Sequence, residues 1–150
     1  MIRRLPAIAA AGMLTLAGTA SASGWDLTVV GGFGNDQIRK AGVVLGATRP
    51  EPLWQGERWR LMLRHEVELS LWRVPQARDL AEFGYSPVLR FERPLGGRTA
   101  FFVEASIGAR LLSHTSLSPT RSVSTAFQFS DQLGVGLQWG ESGNQAAGIR

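Results

Sequence analysis

The chain has 150 residues, with 16 basic and 12 acidic side chains, two histidines and no cysteine. Without cysteine there can be no disulfide framework, thiol nucleophile or thiolate metal site, and no EF-hand-like acidic spacing offers oxygen ligands instead. The length is that of one domain, and beyond the N-terminus no apolar run reaches the ~20 residues of a membrane-spanning helix.

Residues 1–22 read as a secretory signal peptide: Arg3 and Arg4 precede an apolar stretch from Leu5 to about Leu16, and Ala20, Ser21 and Ala22 form a small-x-small cleavage pattern. The apolar stretch is too short to anchor the chain, so residues 23–150 are expected to form the domain. Removing Arg3 and Arg4 leaves 14 basic against 12 acidic residues, a balance that gives no argument for nucleic acid as a partner.

Residues 25–34 predict a first strand, with Trp25, Leu27, Val29 and Phe33 on one face and Asp26, Thr28 and Val30 on the other. Asn35 and Asp36 predict a tight turn. A second strand over 37–48 alternates Ala41, Val43, Leu45 and Ala47 with Lys40, Gly42, Val44 and Gly46, and ends at Arg49, Pro50, Glu51 and Pro52. The third, 58–73, alternates over sixteen residues: Trp59, Leu61, Leu63, His65, Val67, Leu69 and Leu71 oppose Arg60, Met62, Arg64, Glu66, Glu68, Ser70 and Trp72. A helix would scatter that pattern around its circumference.

A polar connection over 75–82 leads to a fourth strand, 83–93, in which Pro87 calls for a bulge or a strand end. After the turn 94–97 comes a fifth strand, 99–112, then a polar loop, 113–122, and a sixth strand, 124–139. A turn over 140–144 precedes residues 145–150, which begin a seventh strand.

The alternation alone leaves open a soluble periplasmic lipid-binding barrel and an outer-membrane barrel. On the polar faces, Lys40, Arg60, Arg64, Arg90 and Arg110 balance Asp26, Glu66, Glu68, Glu92 and Glu104, as an enclosed interior requires and a solvated face does not. With the N-terminus periplasmic, Trp25, Trp59, Phe91, Phe101 and Trp139 gather at one end of the strands and Phe33, Phe83, Tyr85, Phe127 and Phe129 at the other. Two aromatic bands with aliphatic residues between them predict a membrane barrel. Asp131 is then expected at or above the outer rim, and His65, on the lipid face, as a neutral imidazole bonded to a neighbour or lying against another chain.

At residues 124–136, Ser-Thr-Ala-Phe-Gln-Phe-Ser-Asp-Gln-Leu-Gly-Val-Gly resembles the S-[ST]-x-[FL]-x-F-x-D-x-[LI]-G-x-G segment of the outer-membrane lipid A 3-O-deacylases. Residues 102–108 resemble that family's FIEAGIG-like strand, and Ser86, Pro87 and Val88 its APV. The resemblance implies an all-β, antiparallel, up-and-down eight-stranded outer-membrane barrel, of which this chain carries six strands and part of a seventh. It also implies hydrolysis of the ester-linked 3-hydroxyacyl chain at the 3-position of lipid A by a serine, a histidine and a glutamate, with no metal or organic cofactor. Lipid A or lipopolysaccharide is the implied substrate, and a homodimer is a further expectation.

In the family an H-x-S-N-A-G segment follows the strand start that Ala147, Gly148, Ile149 and Arg150 resemble, and the glutamate follows on the last strand. No catalytic residue is therefore assigned within the chain. The serine, histidine and glutamate are expected beyond Arg150, and the chain as given is expected to be truncated and inactive. His114, Thr115 and Ser116 spell H-x-S, but Leu117, Ser118 and Pro119 replace Asn-Ala-Gly, so they read as loop. Glu66, Glu68 and Glu104 read as interior ion-pair members. The alternative function is a small non-catalytic structural or adhesion barrel.

Overall fold

The computed structural model describes residues 13–20, 24–33, 37–75, 77–118, 121–143 and 145–150. The leader's Arg3, Arg4, Ser21 and Ala22, the turn residues Asn35, Asp36 and Asn144, and Pro119 lie outside the described residues.

The strands are β1 (Met13–Ala20), β2 (Trp25–Phe33), β3 (Arg39–Thr48), β4 (Trp54–Gln55), β5 (Arg60–Arg73), β6 (Leu80–Gly96), β7 (Thr99–Leu112), β8 (Ser116–Ser118), β9 (Arg121–Ser122), β10 (Phe127–Trp139) and β11 (Gln145–Ile149). Eight of them form an antiparallel ring. β1 pairs with β2, β2 with β3, β3 with β5, and β5, β6, β7, β10 and β11 follow in turn, with β11 returning to β1. β4 adds a short rung to the start of β5, and β8 and β9 make a small hairpin in the loop after β7.

The wall is amphipathic with the sense opposite to that of a soluble barrel. Along β5, Arg64, Glu66, Glu68 and Ser70 point inward and are buried, whereas Leu69 and Leu71 on the outer face are 57% and 65% exposed. Ile107 and Leu133 are likewise exposed, so the aliphatic side chains form the outside of the ring. That arrangement loses free energy in water and gains it in lipid, where a closed ring also satisfies the backbone groups that no water could reach.

Four expectations change. The ring holds eight strands where six and part of a seventh were expected, because Met13–Ala20, inside the expected leader, pairs in the gap between β2 and β11. β6 begins at Leu80, inside the expected polar connection, because the period-two pattern runs on through buried Leu80 and Glu82. Pro87 makes no bulge: the register with β5 is continuous through His65↔Pro87, and that with β7 is unshifted from Tyr85↔Ala109 to Val88↔Ser106. Proline withholds a donor without lengthening the strand, and the irregularity falls instead at Pro94 and Gly96 by the turn. Finally, the expected polar loop after β7 contains the β8–β9 hairpin.

Two glycines make room for the interior charges. A Cβ at Gly46 would collide with the Arg64 guanidinium, and one at Gly84 with the guanidinium of Arg110. Small residues opposite long ones let an eight-stranded lumen be filled by side chains.

Candidate functional site

The interior charges form two linked groups. In the half nearer the β2–β3 and β5–β6 loops, Lys40 Nζ lies 2.7 Å from Glu68 Oε1 and 3.0 Å from Glu82 Oε1. Arg110 meets the same two carboxylates, with Nη1 3.2 Å from Glu68 Oε2 and Nε 3.7 Å from Glu82 Oε1. Trp72 Nε1 donates to Glu82 Oε2 at 2.9 Å, so the indole caps this group.

In the other half Arg64 holds Asp26 with two guanidinium nitrogens and Glu66 through Nε at 2.7 Å. Arg150 reaches Glu66 Oε2 at 2.6 Å and Glu104 Oε1 at 3.3 Å, and Arg90 holds Glu104 Oε2 at 2.9 Å. Arg60 and Glu92 close the end of the lumen at 2.6 Å. Among the described residues six cations thus face six carboxylates, each paired, because an unpaired charge in this enclosed space would keep its full desolvation cost.

All ten interior charges named from sequence are here, with Glu66, Glu68 and Glu104 as ion-pair members. Glu82 and Arg150 are the additions. Glu82 is in phase with Gly84 and Ser86, and extending the fourth strand's alternation by one step would have found it. Ser86 Oγ is buried with no partner among the described atoms, between the two groups and opposite Glu66 in register.

Among the described contacts, the two histidines bond a phenol hydroxyl and a backbone carbonyl. His65 sits on the lipid face with Nδ1 2.7 Å from the Tyr85 hydroxyl, and the two rings stack 6.1 Å apart. This is the neighbour-bonded imidazole expected from sequence. His114 Nε2 donates to the Asp79 carbonyl at 3.1 Å, tying the β7–β8 connection to the end of the β5–β6 loop. Asp131 is exposed on the outer face opposite Ile107, with Phe127 and Phe129 farther along the same strand toward the loop.

The aromatics sort into two belts. Trp25, Phe91 and Trp139 are exposed at one end and Phe33, Phe83, Phe127 and Phe129 toward the other. Trp59 meets Phe101 edge to face at 6.3 Å, and Trp54, not expected from sequence, is exposed at that same end.

The family model for lipid A 3-O-deacylase (PagL) matches residues 40–150. A solved structure described as that of the outer membrane enzyme PagL superimposes with a TM-score of 0.63 at 16% identity, over 93% of this chain and 94% of that one. No curated protein matches the sequence significantly. With the family match spanning most of a ring whose apolar side faces outward, the chain belongs to the lipid A 3-O-deacylase (PagL) family and is an eight-stranded barrel of the outer-membrane type.

Proposed function

We propose that the chain forms the wall of an enzyme that hydrolyses the 3-hydroxyacyl ester at the 3-position of lipid A. We also propose that the serine, histidine and glutamate of that reaction are not among residues 1–150, so that the chain alone is inactive. The observation that carries the first part is the family match over residues 40–150 on a wall built for lipid.

The second part is supported by the residues present. His65 and His114 bond to Tyr85 and to the Asp79 carbonyl, and no H-x-S-N-A-G segment occurs in the sequence.

Lipid A mass spectrometry tests both parts. Cells expressing a form extended past Arg150 with an H-x-S segment should lose one 3-hydroxyacyl group from lipid A, and cells expressing residues 1–150 should not. Activity from residues 1–150 would return His114 and Ser116 to candidacy. Unchanged lipid A with every extended form would favour the non-catalytic barrel.

A further inference from the structure

At the loop end of the barrel the outer face carries an arrangement that the interior ion network does not use. Phe33, Arg39 and Arg73 stand side by side in register across β2, β3 and β5, all exposed. Arg39 and Arg73 are direct cross-strand partners, the placement in which like charges repel. Among the described residues neither arginine, nor nearby Arg78, makes an ion pair or a side-chain hydrogen bond.

The next row toward the membrane is Gly31, Ala41 and Leu71, and below it lie Val29, Val43 and Leu69. Gly31 and Ala41 are small between larger neighbours, so the wall dips beneath the arginines. The resulting groove is about 810 Å³, lined by Val29, Phe33, Arg39, Ala41, Leu71 and Arg73 among others. Asp79 lines this groove too, and a second hollow of about 740 Å³ adjoins it, sharing Arg39, Arg73 and Asp79 and adding Arg78. Among the described residues Asp79 is the one carboxylate lining either hollow, and its Oδ1 accepts the Val74 N–H at 3.4 Å.

We infer that Arg39 and Arg73 clamp a phosphate of a phosphorylated lipid in the outer leaflet, with an acyl chain of that lipid lying in the groove below. Guanidinium forks match phosphate oxygens two by two, and an anion between them turns a repelling pair into a stabilised one. The apolar floor selects a lipid: a free phosphate or an acidic peptide would gain nothing from Gly31, Ala41 and Leu71, whereas an acyl chain would cover them. The inference rests on the lipid A reading of the barrel and names where the phosphorylated head is held.

The test is native mass spectrometry of the folded 150-residue chain in detergent with diphosphorylated lipid A, the same lipid after phosphatase treatment, and inorganic phosphate. The phosphorylated lipid should bind, and both phosphate removal and the double variant R39Q/R73Q should weaken binding about tenfold or more. R49Q/R58Q, at the opposite end, should bind as the parent does. Equal binding of both lipids overturns the clamp, as does an equal loss in R49Q/R58Q or displacement of the lipid by millimolar phosphate. If R39Q/R73Q does not fold, the two lipids still decide the matter on the parent chain. Selective binding without deacylation by any extended form keeps the clamp and removes the enzyme reading; deacylation with equal binding of the two lipids does the reverse.

Discussion

The lumen and the outer rim treat charge in opposite ways. Inside, every cation among the described residues has a carboxylate within ion-pair distance, down to Arg150 held by Glu66 and Glu104. At the rim, Arg39 and Arg73 face each other with no such partner among the described residues. The difference follows from what can reach each place. Nothing mobile can neutralise a charge in a lumen filled by side chains, so the partner must be built into the chain. At the membrane surface an anion can come from outside, and cations left without partners are available to hold one.

The contrast can be broken at its strongest point by Glu68→Ala, which strips a carboxylate from both Lys40 and Arg110. The expected loss is about 3–5 kcal/mol in urea unfolding of the barrel in micelles. Adding K40M to that variant should recover part of the loss, and no recovery would mean the two charges are not coupled. Next in size is Gly84→Val, whose side chain would displace Arg110; about 1–3 kcal/mol is expected from the same measurement. Wild-type stability in that variant would show that the lumen has slack the packing does not suggest.

On the lipid face, Tyr85→Phe removes the hydroxyl beside His65 and should cost about 0.5–1.5 kcal/mol. The smallest effect is expected at the exposed pair Arg98 and Glu141, 2.6 Å apart, where either alanine variant should shift stability by less than about 0.5 kcal/mol. A loss there as large as that of Glu68→Ala would erase the distinction between enclosed and exposed charge.

Much of the wall was legible because period-two alternation depends only on the order of residues. Residues 58–73 oriented themselves by that alone, and the balanced charges told which face was enclosed. Glu82 was harder to place, since a polar residue seven positions after Pro75 looks the same in a loop as at the start of a strand until the phase is counted. Met13–Ala20 was ambiguous for a deeper reason: a short apolar run with small residues satisfies a leader's requirements and a strand's alike. Pro87 misled because the missing donor was expected to disturb the register, which runs through it unshifted. The rim arginines could not be found from sequence at all, because they become neighbours only through the β3–β5 pairing across the intervening turn.

The filled lumen also has an electrical consequence. Arg64, Glu66, Glu68 and Ser86 are each nearly sealed from solvent midway along the barrel, which leaves no continuous water column between its ends. A planar bilayer containing the folded protein should therefore carry no single-channel current under an applied voltage, and any amphipath the protein handles must travel along the outside of the wall.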